Sequence, residues 1–227
     1  ANLSEGELSM GSEIYGEEHE RLQNEYDTKD LAARLENLIV KDFIDETDRE
    51  FINSRDMFFL SSIDKNGCPT VSFKGGQVGF VEVLNEKQIA FPIFDGNGMF
   101  LSAGNIEGNN KVGLLFIDFE TPHRLRMQGE AFIDRSVDLV NRYPAADLLI
   151  KVNLTRLWVN CPRYIPKYKK IEESKYIPKK GQPTLSPAWK RIEEVKNFLP
   201  KKDQEILQRE ETITFADYAQ LVSKGKA

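Results

Sequence analysis

The chain contains few of the residues that build metal and thiol sites. Its 227 residues include only two cysteines, Cys68 and Cys161, and two histidines, His19 and His123. Because the cysteines are far apart and no CxxC spacing occurs, we expect neither a disulfide framework nor a cysteine zinc site. The scarcity of histidine also disfavours a histidine-rich metal site and a catalytic triad with a histidine base. We therefore predict no metal site.

The sequence also lacks a long apolar run and an excess of positive charge. No apolar stretch approaches the roughly 20 residues of a transmembrane helix, and no secretory signal pattern is visible. The formal net charge of −5 disfavours a general nucleic-acid binder, which needs a basic surface. With 40% apolar residues, the chain can form a packed core. These features predict a cytoplasmic protein with neither membrane nor nucleic-acid partners.

Seven short segments in the middle of the chain have the composition of antiparallel strands. Asn66-Gly67, between the first two, is a strong hairpin signal. Because only short helical segments separate them, the pattern favours an all-β barrel or sandwich with peripheral helices over a parallel α/β sheet. The segments are residues 57–64, 70–74, 79–84, 89–94, 112–118, 123–134 and 148–159.

Two helices are predicted ahead of these strands. Residues 28–41 place leucines at helical spacing, which indicates an amphipathic helix. Thr47 and Glu50 fit a capping box, and Phe51 and Ile52 would bury the short helix that follows.

The chain divides into three predicted parts. Residues 1–46 form an N-terminal arm with the amphipathic helix, and residues 47–164 form the β domain. Residues 165–227 are a lysine- and proline-rich extension, whose helix over 188–199 packs on the β domain. Four apolar side chains would hold that helix in place: Trp189, Ile192, Val195 and Phe198.

The stretch FPIFDGNGMFLSAGNI, residues 91–106, joins a strand to a helical segment through Asp-Gly-Asn-Gly. One explanation is a plain turn, since these residues tolerate turn backbone angles. Another is an anion cradle, because a glycine-flanked helix start directs free N–H groups outward. The glycine spacing does not match a dinucleotide-binding fingerprint, and Met99 and Ile106 do not fit a calcium-binding loop. The stretch alone leaves turn and cradle open.

Two strands carry polar stripes that have a functional and a structural explanation. Ser72 and Lys74 point to one face of a strand that ends at two glycines, as in a ligand site or a simple edge strand. Arg124, Arg126 and Gln128 alternate with apolar residues. That face is either solvated or a cationic wall for a phosphate or an anionic ring, because the guanidinium fork binds oxyanions in a bidentate manner.

The end of the last strand gathers an unusual group of side chains. Trp158, Cys161, Arg163 and Tyr164 lie within seven residues. Cys161 is either a nucleophile or a structural thiol, and no neighbouring histidine in the sequence identifies a base for it.

Six pieces of the sequence, in this order, resemble the pyridoxamine 5′-phosphate oxidase-like family of flavin proteins, and most of all its branch of predicted flavin-nucleotide-binding proteins. The resemblance covers residues 47–164. The pieces are FFLSSIDKNGCPTVSFKGG, GFVEVL, FPIFDGNGMFLSAGNI, KVGLLFIDF, RLRMQGEA and NCPRYI.

The resemblance implies a six-stranded antiparallel split β-barrel with Greek-key topology, forming a homodimer with FMN at the subunit interface. Residues 91–106 are then the strand-to-helix connection beside the flavin phosphate. The resemblance assigns cofactor contacts to eleven residues. They are Ser72, Phe73, Lys74, Phe94, Asn97, Ser102, Asn105, Arg126, Gln128, Trp158 and Arg163.

The chain departs from the oxidases at the phosphate. The arginine–lysine pair of the oxidases falls at Leu101 and Ser102, and Pro69 replaces a further arginine. Lys74, Ser102 and backbone N–H groups are left to bind the phosphate, with Arg124 or Arg126 as hypothetical compensation. The substrate-binding histidine and arginine of the oxidases have no match, so oxidation of pyridoxamine 5′-phosphate is not expected.

The resemblance therefore predicts an FMN-binding protein that acts as a flavin-dependent oxidoreductase on an unidentified small molecule. Tyr164 and Cys161 are the nearest candidates for a catalytic group. Two alternatives stay open. One is a non-catalytic carrier of flavin or another flat cofactor, such as the deazaflavin F420 or haem. The other is a split-barrel scaffold without a cofactor, because a fold does not fix a function.

Overall fold

The computed structural model describes residues 12–136, 140–207 and 210–227. Contacts divide the chain into two compact units, residues 1–170 and 171–227. The three predicted parts, with boundaries at 46/47 and 164/165, stay a prediction. None of the described helices combines the length and apolar character needed to cross a bilayer.

Seven antiparallel strands form one open sheet in the first unit, in the order β2-β1-β5-β6-β7-β4-β3. The predicted mainly β fold with antiparallel pairing is confirmed, but the count of six strands was wrong. The short strand β3 pairs with β4 and adds an edge to the sheet. The strands are β1 Met57–Ile63, β2 Pro69–Gly75, β3 Glu82–Asn85, β4 Gln88–Phe94, β5 Lys111–Asp118, β6 His123–Asp134 and β7 Ala146–Val159.

The sheet curls around a single core. Three strands separate β1 from β4 in the sheet order, yet the rings of Phe58 and Phe91 meet edge to face with centroids 4.9 Å apart. Phe58 also contacts Phe80 and Phe116. Such aromatic contacts bury large apolar areas and fix ring orientation. The core therefore lies on the concave side of the sheet.

Two glycines meet geometric demands of this sheet. Gly67 has φ +80° in the β1–β2 hairpin, so the predicted Asn-Gly turn is confirmed. At Gly129, a Cβ atom would lie 2.4 Å from the carbonyl oxygen of Asn153. The register of β6 against β7 shifts between Gln128 and Gly129, and the close approach of the backbones there excludes any larger residue.

The helices of the first unit include α1 Glu17–Glu25, α2 Lys29–Ile39, α3 Glu46–Asn53 and α4 Leu101–Gly108. Helix α2 confirms the prediction for residues 28–41. Helix α3 buries Ile52 as predicted, but Thr47 is not its cap. Asp45 accepts a hydrogen bond from the Asp48 N–H, and Asp48 accepts one from the Asp45 N–H. Lys41 pairs with both carboxylates, which explains why the helix begins two residues earlier.

The second unit contains a 3₁₀ helix, Ala188–Arg191, and three short α-helices, α5 Glu193–Lys196, α6 Lys201–Leu207 and α7 Phe215–Ser223. The continuous helix predicted over 188–199 was wrong. Ile192 is extended and forms a parallel bridge with Ile213, which interrupts the helix. Phe198 is 87% exposed, and Leu199 is buried instead.

Candidate functional site

The core-facing side of β2 carries three polar residues. Thr70, Ser72 and Lys74 are half-buried, whereas the alternating residues Val71 and Phe73 are exposed. Across the strand pair, Ser72 lies opposite Leu60 and Lys74 opposite Phe58, which both belong to the core. Cross-strand neighbours share a face, so Ser72 and Lys74 lie on the concave side, where α4 packs against β1 and β6.

Lys74 is held by a short chain of hydroxyl groups. Its Nζ donates a hydrogen bond to Ser102 Oγ at 3.0 Å, and Ser102 Oγ lies 3.1 Å from Ser72 Oγ. Burial lowers the pKa of the Lys74 ammonium, because the charged form loses hydration. Within the described part of the chain Lys74 makes no ion pair. A half-buried cation with only hydroxyl partners is a ready site for an anion.

Lys74 and Ser102 line a cavity of about 210 Å³ between the end of β4 and the start of α4. The turn that shapes it has two left-handed residues, Gly98 at φ +75° and Phe100 at φ +48°. Ten residues line the cavity: Lys74, Ile93, Phe94, Gly96, Asn97, Gly98, Phe100, Leu101, Ser102 and Ala103. Pockets for drug-sized ligands usually exceed about 300 Å³, so this cavity fits the head group of a larger ligand.

Helix α4 adds backbone donors to the same cavity. Its first internal hydrogen bond runs from the Gly104 N–H to the Phe100 oxygen, at 2.7 Å. The N–H groups of Leu101, Ser102 and Ala103 therefore have no acceptor inside the helix. Together with Lys74 they supply the positive potential that suits an oxyanion. Of the two explanations for residues 91–106, this geometry favours the anion cradle.

Three further predicted residues lie on or beside this cavity. Phe94 and Asn97 line it, and Asn97 Oδ1 accepts a hydrogen bond from the Met99 N–H at 3.1 Å, which stabilises the turn. Asn105 is engaged elsewhere. Its amide donates to Ser62 Oγ at 3.1 Å and to Thr70 Oγ1 at 3.3 Å, so it fixes α4 on the sheet.

Three of the remaining predicted residues lie in one row on the convex face of the sheet. Phe73 lies opposite Phe59, Phe59 opposite Leu115, Leu115 opposite Arg126, and Arg126 opposite Trp158. These five residues, one from each of five neighbouring strands, are termed the outer row. The predicted cofactor residues are thus divided between the two faces of the sheet within one chain.

Phe73 and Arg126 are the exposed residues of the outer row, and Phe59, Leu115 and Trp158 are half-buried. Val71, on the same face of β2, is 71% exposed, and the Arg126 side chain makes no hydrogen bond or ion pair within the described residues. Gln128 lies in the next row, opposite Gly113 and Arg156. Aromatic residues and arginine are enriched at protein interfaces, so this surface is a candidate interface.

Arg163 lies beyond the end of β7, next to the Cys161 thiol. Hydrogen bonds from the Arg163 N–H and guanidinium, with the charges of Arg163 and Arg124, lower the pKa of that thiol. Arg124 donates to the Cys161 carbonyl oxygen at 3.0 Å. The Arg163 guanidinium lies 5.9 Å from the ring centroid of Tyr164, which is almost fully exposed. His123 packs edge to face on Phe51.

Sequence reasoning missed Phe100 as a residue of the cavity. A bulky residue with a left-handed backbone is costly, and nothing in the sequence around it distinguishes it from Met99. The glycines on its N-terminal side indicated only that the chain turns there.

The model of the pyridoxamine 5′-phosphate oxidase family matches residues 44–150. A search of the curated proteins found no match. Among solved structures, HupZ from Group A Streptococcus is 16% identical, covering 56% of this chain and 99% of its own, with a TM-score of 0.43.

Two further solved structures are similar. An FMN-binding protein from Syntrophomonas wolfei subsp. wolfei is 14% identical, covering 62% of this chain and 97% of its own, with a TM-score of 0.40. HutZ, a heme storage protein from Vibrio cholerae, is 20% identical, covering 51% of this chain and 94% of its own, with a TM-score of 0.37. TM-scores this low support no conclusion about ligand or activity. The family match is independent of them: residues 44–150 are similar to the pyridoxamine 5′-phosphate oxidase family.

Proposed function

We propose that the protein binds FMN on a dimeric split β-barrel and acts as a flavin-dependent oxidoreductase on a small molecule. The observation that carries the proposal is the position of Lys74. It is a half-buried cation with no ion pair in the described part of the chain, and it lines a cavity at the start of a helix. The family match supports flavin as the ligand class.

The residues around the cavity fit the phosphate end of the cofactor. The Lys74 ammonium donates one hydrogen bond to Ser102, and its other protons are available to a ligand. The first N–H groups of α4 have no acceptor within the helix. Ser72 and Ser102 supply hydroxyl groups that donate or accept. Charge-assisted hydrogen bonds of this kind contribute roughly 1.5–3 kcal/mol each.

The cavity holds a head group, so other residues must hold the flavin ring. A second copy of the chain supplies them in this proposal. The outer row carries the exposed Arg126 and the half-buried Trp158, and Gln128 lies beside it. These side chains offer a planar cation, an aromatic surface and an amide, which suit a flat, polar ring. The apolar exposure of Val71 and Phe73 on the same face supports a subunit interface there.

When bound, the flavin supplies the electron-transfer chemistry. This chain would bind the phosphate through Lys74 and Ser102, orient the cofactor, and exclude water from the cavity with apolar residues such as Phe94 and Phe100. No histidine, aspartate or glutamate is among the described residues that line the cavity.

A second candidate function is a flavin carrier without turnover, favoured by Leu101 and Pro69 at positions where the oxidases carry phosphate-binding cations. The two candidates predict different behaviour with an electron donor. An enzyme reduces a dye at the expense of NAD(P)H in a flavin-dependent manner, whereas a carrier binds flavin tightly and shows no turnover.

The first test is the visible absorbance spectrum of the freshly purified protein, with the released chromophore identified by mass. We expect a flavin spectrum and the mass of FMN, or saturable uptake of added FMN by a colourless protein. A haem spectrum, or the mass of a deazaflavin, would show that this cofactor binds in place of FMN. A colourless protein that takes up no added cofactor would overturn the proposal in favour of a scaffold.

A further inference from the structure

We infer that the cavity at Lys74 accepts an oxyanion with a single negative charge, so that FMN binds with its phosphate singly protonated. A phosphodiester or a carboxylate would bind the same cavity without uptake of a proton. This inference rests on the proposed function, because it concerns the head group of the same ligand.

The first argument is the charge of the cavity wall. Lys74 is the only charged residue among the described residues that line it. The first turn of α4 carries no acidic or basic side chain, and Leu101 stands at its first position. A phosphate dianion would therefore leave negative charge uncompensated in a half-buried site even after the partial positive charge of the α4 N-terminus is counted, which favours the protonated form.

Among the described residues, the surrounding elements add no second cation on this face. The β1 and β2 residues around Lys74 are uncharged on the concave side. At the far end of α4, Glu107 pairs with Arg135. On β6, which packs against α4, Glu130 pairs with Lys111, whereas Arg124 and Arg126 lie on the convex face. Asp95 precedes the turn, is exposed, and has an interaction of its own.

The second argument is the hydrogen-bonding capacity of the hydroxyl groups. A dianion only accepts hydrogen bonds, whereas a singly protonated phosphate also donates one. Ser102 Oγ accepts from Lys74 and shares a hydrogen bond with Ser72 Oγ. A hydroxyl oxygen has two lone pairs, so the two serine hydroxyl groups can accept a hydrogen bond from the phosphate O–H as well as donate hydrogen bonds to the phosphate oxygens.

The test compares three ligands of the whole 227-residue chain: FMN, its phosphate monomethyl ester and riboflavin. The second phosphate pKa is about 6, so the singly charged fraction of FMN falls about 50-fold between pH 6 and pH 8. The ester keeps one charge throughout this range. We expect the Kd of FMN to rise about 50-fold relative to that of the ester, with riboflavin weaker than both at pH 6. Calorimetry in buffers of different ionisation enthalpy should show proton uptake with FMN at pH 8 and none with the ester.

A matched pair of variants tests the charge count. Leu101→Arg adds a cation to the first turn of α4 and should remove most of the pH dependence of FMN binding. Leu101→Gln has similar bulk without charge and should keep it. Deprotonation of Lys74 would weaken the binding of both ligands equally, because both depend on the same ammonium. The ratio of the Kd of FMN to that of the ester is therefore independent of it.

Each other result has a distinct meaning. A constant Kd ratio between pH 6 and pH 8 without proton uptake would show that the dianion binds, and would overturn the inference while leaving flavin binding intact. Equal affinity for riboflavin and the ester would show that the head group does not occupy the cavity, and would also overturn it. Failure of all three ligands to bind would overturn the proposed function itself.

Discussion

Lys74 Nζ lies 3.0 Å from Ser102 Oγ, and this hydrogen bond joins the edge strand β2 to the first turn of α4. The contact brings together two segments that are 28 residues apart in the chain. It also directs the ammonium towards the free N–H groups of the helix. The cavity thus receives a cation and backbone donors from separate elements, which gives the site its preference for anions.

The role of Lys74 can be tested by Lys74→Met, which removes the charge and keeps much of the side-chain length. We expect FMN affinity to fall about 10- to 100-fold, because a charge-assisted hydrogen bond is worth roughly 1.5–3 kcal/mol. The free energy of unfolding should not fall, since the variant removes a half-buried cation without an ion pair. Fluorescence titration of FMN and denaturant unfolding measure the two effects.

Lys65→Met is the control for that variant, because Lys65 is exposed on the β1–β2 turn. It should leave FMN affinity unchanged. Equal affinity of the Lys74→Met protein and the unchanged protein would exclude Lys74 from the phosphate site.

The close contact of β6 with β7 predicts a large stability difference between two glycine variants. In Gly129→Ala the new Cβ would lie 2.4 Å from the Asn153 carbonyl oxygen and 2.7 Å from Val152 Cγ1. We expect the free energy of unfolding to fall by about 1–3 kcal/mol or more, as in other overpacked sites. Denaturant unfolding followed by circular dichroism gives the value.

Gly104→Ala is the matched control. Gly104 lies inside α4, and a Cβ atom added there would have no neighbouring group within 4 Å outside its own turn of helix. Alanine should therefore stabilise the protein by about 0.5–1 kcal/mol through its higher helix propensity. A Gly129→Ala protein as stable as the Gly104→Ala protein would show that the strands separate there more easily than their contacts indicate.

The proposal that the outer row forms a subunit interface predicts the effect of a charge placed there. Phe73→Glu places a carboxylate on the convex face, where Phe73 is 62% exposed, and leaves the concave side of β2 unchanged. We expect light scattering to show a monomer, with weaker FMN binding because the partner's share of the site is lost. Phe198→Glu, at an aromatic residue of the second unit that is 87% exposed, should remain a dimer. A Phe73→Glu protein that stays dimeric would place the interface elsewhere.

The local features of the fold could be predicted because they depend on neighbouring residues. The spacing of the leucines predicted α2, and Asn66-Gly67 predicted the first hairpin. The helix predicted over 188–199 failed because Ile192 pairs with Ile213, a contact that apolar periodicity cannot indicate. The N-cap of α3 is Asp45 and not the predicted Thr47, because Lys41 pairs with the carboxylates of Asp45 and Asp48.

In the candidate site, too, features that depend on neighbouring residues could be predicted, whereas features that depend on distant contacts could not. The period of two along a strand placed Ser72 and Lys74 on one face, and it also implied that Phe73 lies on the other. The outer row depends on the register of five strands, which no single segment encodes. Asn105 was predicted at the cofactor, yet its amide binds Ser62 and Thr70, a choice made by helix packing.

The last prediction concerns the reactivity of Cys161. Both cysteines are free and exposed, but hydrogen bonds from Arg163 and the charges of Arg163 and Arg124 lower the pKa of the Cys161 thiol. The thiolate is the nucleophile, so the larger thiolate fraction should make Cys161 react with iodoacetamide at pH 7 faster than Cys68 does. Peptide mass spectrometry over time gives both rates from one sample.

Arg163→Gln removes the guanidinium and should slow the alkylation of Cys161 while leaving that of Cys68 unchanged. An unchanged Cys161 rate in Arg163→Gln would mean that the arginine does not stabilise the thiolate. The candidacy of Cys161 as a catalytic group would then lose its physical basis, since the lowered pKa of the thiol is the observation that supports it.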